Sequence, residues 1–191
     1  MSIILDLIGS WVVRAAMIAI MLTLTINLND ALYQNNSVIN DRGQIQIVDS
    51  VFYADINMAG YNTPSWASAS FKIASTSSVY FYADINNNSL PDSVRYDVVY
   101  NSSTRKYKLY RTVNNESALT LGMAVDSVSF AYYTSGYDGR DSLMLAPSLL
   151  KSIKSVAVTL IVNETVTNNK TGQSTQIPIK SFFKITPPNL I

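Results

Sequence analysis

The chain has 191 residues, of which only 14% are charged, and its formal net charge at neutral pH is +1. This balance provides no basic field for nucleic acid, so we expect no nucleic-acid partner. The chain also contains neither Cys nor His and lacks a Gly-x-Ser-x-Gly motif or a phosphate-binding loop, so disulfides are excluded and the sequence does not predict an enzyme.

The first element in chain order is an apolar run at residues 3–28, interrupted mainly by Asp6 and Arg14. Its 26 residues exceed the roughly 20 that a helix needs to cross the hydrocarbon core of a bilayer. The run is longer than the apolar part of a signal peptide, and no Lys or Arg precedes it. We therefore expect residues 1–28 to form a retained transmembrane or filament-core helix segment.

The helical pattern continues beyond this segment, because apolar residues recur at intervals of three, four or seven. The residues that follow this spacing are Leu28, Ala31, Leu32, Ile39, Ile45, Val48, Val51, Phe52, Ile56 and Ala59. The pattern predicts that residues 29–61 are the amphipathic half of the same helix, with one buried stripe from 28 to 59 lying across a sheet. Gly60, followed by Asn62 and Pro64, predicts the end of the helix.

Residues 62–191 change to the pattern of an antiparallel β domain, since aromatic and β-branched residues alternate with polar ones between Asn- and Gly-rich turns. The predicted strands are 79–83, 94–100, 106–113, 125–133, 153–166 and 176–185. Residues 167–172 are expected to join the last two strands as a hairpin. The predicted fold class is α+β, with one long N-terminal helix packed on a C-terminal antiparallel sheet.

Five short segments, in a fixed order, resemble motifs of type IV pilins and the pseudopilins of type II secretion. They are Asp55–Tyr61 (similar to D-I-R-M-A-G-Y), Asp84–Tyr96 (an Asp/Asn loop and V-x-Y), Val125–Tyr133 (V-x-S-F-x-Y-Y), Ile153–Leu160 (I-x-x-V-x-V-T-L) and Pro187–Leu190 (P-R-N-L). Together with the helix-then-sheet order, they are most similar to PilW-type minor pilins and GspJ-like pseudopilins.

The N-terminus departs from that family. Its members have a short basic leader, a Gly at the cleavage point and a Glu at the fifth position after it. Here Gly9 would correspond to that Gly, but Ser10 follows it, Arg14 takes the fifth position and no basic leader precedes it. We therefore expect a pilin relative that keeps its full N-terminus.

The resemblance implies a structural subunit of an extracellular, pilus-like filament at the cell surface. Such a subunit is inserted in the inner or cytoplasmic membrane before assembly, is handled by a pilus assembly machinery and forms a helical homopolymer through packed N-terminal helices. Its β domains would lie outside and contact glycans or surfaces through tyrosines such as Tyr80 and Tyr132, unless these pack within the sheet. The alternatives are a minor pilin or pseudopilin that primes or caps assembly, and a membrane-anchored surface-binding module.

The candidate assembly residues lie in the apolar segment. Asp6 and Arg14 are eight residues apart, about 12 Å along a helix, which is too far for a direct pair within one chain. We expect them either to pair between subunits, or to stay apart with Asp6 among lipid headgroups and Arg14 snorkelling. The small residues permit close approach of helices or reflect ordinary membrane-helix composition; these are Gly9, Ala15, Ala16 and Ala19.

Two further sets of polar residues are candidate sites, and most of them lie in the predicted β domain, which we call the head. Asp84, Asn86, Asn88 and Asp92 alternate as the ligands of a calcium loop do, but Ser89 replaces the turn glycine, so calcium and a plain Asx-rich turn are both open. No other cofactor is expected. Six Asn-x-Ser/Thr sequons are candidate glycosylation sites; they are Asn35, Asn87, Asn101, Asn115, Asn163 and Asn169.

Overall fold

The fold is α+β, with one long N-terminal helix followed by antiparallel sheets, which confirms the predicted class. The computed structural model describes residues 2–63, 69–134, 143–144, 150–168 and 173–190. The chain divides into two compact units, Met1–Asn40 and Asp41–Ile191, which are described separately below.

The helix α1 spans Ser2–Asn57, close to its predicted limits. Gly60 follows with a φ of 85°, a conformation that glycine adopts without steric cost. Its N–H donates to the carbonyl oxygen of Tyr82 at 2.9 Å, and a Cβ at this position would lie 2.9 Å from the Leu190 side chain. Gly60 is therefore required both by the backbone turn and by the close approach of the chain's last residues.

In the unit Met1–Asn40, every described side chain from Asp6 to Ile26 is exposed. Large apolar side chains are included, and Trp11 and Met21 are each 68% exposed. The hydroxyls of Thr23 and Thr25 donate to carbonyl oxygens one turn earlier, at 2.8 and 2.9 Å. These polar groups are thus satisfied within the helix, without water.

In the unit Asp41–Ile191, the first sheet is an antiparallel meander in which each strand pairs with the next. Its strands are β1 (Phe71–Ala74), β2 (Ser78–Ala83), β3 (Asp92–Asn101), β4 (Lys106–Val113) and β5 (Leu119–Val125). Strands β2, β3 and β4 match the predicted ones, whereas β1 and β5 were not predicted. Gly122 in β5 has a φ of 63° and lies under the helix, where a Cβ would approach Val48 to 2.6 Å.

The second sheet has the strand order β7-β6-β8-β9 and is also antiparallel. Its strands are β6 (Ser127–Tyr133), β7 (Leu143–Met144), β8 (Ser155–Asn168) and β9 (Gln173–Ile185). The predicted hairpin strands are confirmed, with pairing from Val156↔Ile185 to Asn168↔Gln173; the turn itself lies outside the described residues. The prediction of one sheet is wrong in this respect, because two sheets are present.

Asp126 is the residue at which the two sheets divide, and the predicted single strand 125–133 is therefore wrong. Its N–H donates to the carbonyl oxygen of Ile161 at 2.9 Å. Its carboxylate accepts hydrogen bonds from the Asn163 N–H at 2.7 Å and from the Lys106 ammonium at 3.4 Å. Residues of both sheets thus hold the junction, and the chain changes sheet where alternation alone predicts a continuous strand.

The core lies between the helix and the inner faces of the two sheets. The helix contributes Ile45, Val48, Phe52 and Ile56, and the turn after it contributes Ala59, all buried. Leu28, Leu32 and Ile39 are instead 56–63% exposed, so the predicted stripe is buried only in its second half.

Candidate assembly surface and sites of the head

The exposed apolar helix surface, residues 6–29, is the most unusual surface of the described chain. Within the part of the chain that the structure describes, α1 is the one helix that is long and apolar enough to cross a membrane, by length and composition. Its most apolar window has a mean hydropathy of 2.0 and no buried residue. Apolar surface of this extent requires cover by lipid or protein.

The predicted assembly residues Asp6, Gly9, Arg14, Ala15, Ala16 and Ala19 all belong to this surface and are all exposed. A Cβ built at Gly9 would meet nothing within 4 Å. The salt bridges between described residues involve neither Asp6 nor Arg14. Pairing of these two charges between subunits, and the alternative of separate positions near the membrane surface, both stay predictions.

A buried ion pair fixes the last helical turn to the first sheet. Arg111 of β4 donates from Nε to Asp55 Oδ2 at 2.6 Å and from Nη2 to Asp55 Oδ1 at 3.0 Å. The hydroxyl of Tyr96 in β3 donates to the same Asp55 Oδ2. Burial and the neighbouring Asp55 carboxylate raise the pKa of Tyr96 well above its ordinary value, and the Asp55 hydrogen bond raises the pKa of Arg111. Arg111 therefore stays positively charged beside Asp55, and Tyr96 is a neutral hydrogen-bond donor to Asp55.

Phe52 lies one turn before Asp55 and stacks on the Tyr96 ring, with centroids 4.0 Å apart and planes at 21°. We call Phe52, Asp55, Tyr96 and Arg111 the helix clamp. The sequence comparison used Asp55 as part of a motif but assigned it no role. The sequence nevertheless contains a signal for this contact. Asp55 lies three residues after Phe52 on the apolar face of the helix, and an acidic side chain buried on such a face needs a partner.

The Asp84–Asp92 loop joins β2 to β3, and N–H donors already occupy its carboxylates. Asp84 is fully buried, and its oxygens accept from the backbone N–H groups of Asn88 and Ser89 at 3.0 and 2.8 Å and from the Asn62 amide at 2.9 Å. Asp92 accepts from the Ile85 N–H at 3.2 Å and from the Asn114 amide.

Asn86 and Asn88 of this loop form Asx turns, since their side-chain oxygens accept from N–H groups two residues later. Ser89, at the position of the calcium-loop glycine, has a φ of 65°. The described residues contain no group of three acidic or other metal-binding side chains. The hydrogen bonds show the Asx-rich turn, and calcium binding to this loop stays a prediction.

The sequons occupy different environments. Asn35 is exposed in the helix, and Asn87 and Asn115 are exposed in turns of the first sheet with φ values of 56° and 62°. Asn101 is half-buried and accepts the Ser103 N–H at 2.9 Å. Asn163 lies within β8, and Asn169 lies outside the described residues. Glycosylation of any of them stays a prediction.

The tyrosines of β2 and β6 follow the packing alternative rather than forming a fully exposed aromatic surface. Tyr82 and Tyr132 are buried, and Tyr132 donates to the Ser75 carbonyl oxygen at 2.8 Å. Tyr80 is half-buried, and the Lys72 ammonium lies 4.9 Å from its ring centroid. Exposed aromatic side chains elsewhere in the described head are Tyr53, Tyr61, Tyr100 and Phe182.

Comparison of the chain with protein-family models, curated protein sequences and solved structures finds no match. The shared feature with pilins is the order of a long apolar N-terminal helix and antiparallel sheets, which is consistent with a pilin-like fold. Membership of that family stays a prediction.

Proposed function

We propose that this chain is a structural subunit of an extracellular pilus-like filament and polymerises through its N-terminal helix. The subunit is held in a membrane before assembly, and the β head lies on the outside of the filament. The observation that carries this proposal is the exposed apolar helix surface, residues 6–29, which the described chain leaves uncovered.

The physical argument concerns what can cover this surface. Exposing a Leu or Ile side chain to water costs about 1.5–3 kcal/mol relative to burial, and Leu7, Ile18 and Leu24 are each 57% exposed or more. In a bilayer, lipid covers them. Outside a bilayer, the same apolar helix surface on other copies of the chain can cover these side chains, because identical subunits can pack against one another through the same surface.

Asp6 and Arg14 supply the register of this packing in the proposal. A charge in hydrocarbon costs about 2.5–3.5 kcal/mol on insertion scales, so a stagger that brings Asp6 of one copy to Arg14 of another is favoured over other staggers. Gly9 and Ala19 leave room for the helices to approach closely.

Negative-stain microscopy of material sheared from cells tests the proposal. We expect filaments that contain this chain as their main component. Sparse filaments with this chain as a trace component would instead indicate a priming or capping subunit. A detergent-solubilised monomer without filaments would overturn polymerisation and favour a membrane-anchored binding module.

Helix packing can be tested directly, because the chain contains no Cys and an introduced thiol has no background. Ala19→Cys is expected to form disulfide-linked dimers within filaments after mild oxidation. Ser50→Cys, on an exposed position of the same helix, is the matched control and is expected to stay monomeric. Equal cross-linking of both variants would contradict packing through the apolar segment.

Arg14→Ala tests the register separately from polymerisation. We expect it to abolish or strongly reduce filaments, whereas Arg42→Ala, an exposed arginine of the same helix, leaves filament yield unchanged. Normal filaments from Arg14→Ala would disprove the Asp6–Arg14 pair and leave the filament proposal standing.

A further inference from the structure

Residues 41–57 of α1 pack in the head and carry three acidic side chains. These side chains differ in how many of their oxygen atoms have a hydrogen-bond donor or a cationic partner. Asp55 has the Arg111 guanidinium as its partner. Asp41 is only 9% exposed, and its Oδ2 atom has no hydrogen-bond donor. Asp49 accepts the Ser181 hydroxyl at 2.6 Å on Oδ2, while its buried Oδ1 atom also lacks a donor.

Asp41 is the first buried residue among the described side chains of the helix, and it faces a second carboxyl group, that of Glu164 in β8. The Lys106 ammonium of β4 acts electrostatically on Asp41 and also lies 3.4 Å from the Asp126 carboxylate. Two carboxyl groups in contact form a hydrogen bond only when one of them holds a proton. Without that proton, both are acceptors and both are negative.

We propose that the Asp41–Glu164 carboxyl pair is a proton-operated latch that fastens the first buried turn of the helix to β8. With one proton shared, the pair is a hydrogen bond between the helix and the second sheet. With the proton lost, the same contact becomes a repulsion between two carboxylates in a partly desolvated place. The latch concerns the helix–sheet contact within the head and does not depend on filament formation.

The direction of the pH effect follows from the environment of Asp41. Burial, the Glu164 hydrogen bond and the Glu164 charge raise the pKa of Asp41 from 3.8 to about 6, and Lys106 opposes this rise. A carboxyl whose pKa is raised by folding stabilises the fold below its unfolded pKa, and this contribution is lost as the pH rises toward its folded pKa. Burial raises the pKa of Asp49 as well, so both groups tighten the head in mildly acidic surroundings.

The surroundings of the Asp41–Glu164 pair favour a shared proton over a bound metal ion. Only two carboxyl groups meet here, and the described residues contain no cluster of three. The Lys106 ammonium already places a positive charge beside them, which disfavours a second, divalent cation.

The test measures the urea concentration at the midpoint of unfolding for the full chain in detergent, at several pH values between pH 4.5 and pH 7.5. Unfolding is monitored by near-ultraviolet circular dichroism. We expect the wild-type midpoint to fall as the pH rises toward 6. Asp41→Asn keeps a hydrogen-bonding amide opposite Glu164 and is expected to lose most of this fall. Glu164→Gln is expected to do the same, while Glu116→Gln, at an exposed position, retains the wild-type fall.

A wild-type midpoint that does not fall over this range would overturn the latch, as would Asp41→Asn and Glu164→Gln variants that both keep the full fall. Should Asp41→Asn not fold, the Glu164→Gln variant and an NMR titration of the Asp41 carboxyl in the wild-type chain carry the test. Calcium that restores the wild-type midpoint at pH 7.5, but not that of Glu164→Gln, would show a metal site in place of the latch.

Discussion

Residues 6–40 and residues 41–57 belong to one helix, yet only the second segment has buried side chains among those described. No described side chain of the first segment is buried, whereas Ile45, Phe52 and Ile56 of the second are covered by the two sheets. Both segments repeat apolar residues at helical spacing. The comparison shows that such spacing establishes a helix and leaves open what packs against it.

The two segments also differ in the surroundings of their charged side chains. The first exposes Asp6 and Arg14 among apolar side chains, and neither belongs to a salt bridge between described residues. The second places Asp55 against Arg111 within the same head. Four substitutions, from the largest expected effect to the smallest, test this division between a self-sufficient head and an uncovered helix.

Phe52→Ala is expected to have the largest effect on the head. Phe52 is fully buried and stacks on Tyr96, so its truncation should lower the free energy of unfolding by about 3–5 kcal/mol. Leu24→Ala, at a position 58% exposed, should leave the urea midpoint of the head unchanged in detergent. Similar losses for the two variants would contradict the division.

Asp55→Asn tests the ion pair of the helix clamp. It leaves the Arg111 guanidinium, 22% exposed, without a negative partner, and we expect a loss of about 2–4 kcal/mol in the free energy of unfolding. The control is Asp97→Asn, whose partner Arg95 is 49% exposed; its loss should be below about 1 kcal/mol. Chemical denaturation of both variants measures the difference, and equal losses would refute the role assigned to the clamp.

Gly122→Ala tests the contact between β5 and the helix. The new Cβ would overlap Val48 at 2.6 Å, and the backbone φ of 63° disfavours a side chain. We expect a loss of about 1–3 kcal/mol. Combining Gly122→Ala with Val48→Ala should cost less than the sum of the single losses, because the overlap is then removed; strict additivity would contradict the contact.

Gly43→Ala should have the smallest effect and the opposite sign. Gly43 lies within the helix, and a Cβ there meets nothing within 4 Å. Because Ala is favoured over Gly in helices, we expect a gain of about 0.5–1 kcal/mol, measured as a higher urea midpoint. A lower midpoint would contradict the open space around Gly43 and mean that this side of the helix is covered.

Local pattern predicted the elements whose signals lie within a few residues. The helix, its end at Gly60 and strands β2, β3, β4 and β9 were predicted in this way. Strand β5 was missed because Gly122 interrupts its alternation at the point where the backbone bends under Val48. Leu32 was predicted to be buried but is exposed. Apolar spacings of three, four and seven residues indicate an apolar helix face, but they do not show whether a sheet covers it.

The polar contacts of the head were less accessible to sequence reasoning, because each joins distant residues. Asp126 ends β5 through partners 20 and 37 residues away, while apolar alternation continues through it. Asp55 was used only as part of a motif, and its partner Arg111 is 56 residues further along the chain. The loop at Asp84 was the exception, since its Asx turns are local.

The contact between Asp49 and Ser181 spans 132 residues, and Leu190 lies close to Gly60. A ribosome therefore releases the head-facing half of the helix long before it has translated the strand that covers it. Residues 41–57 of the helix are therefore synthesised well before β9, and their cover is complete only once β9 has paired with β8.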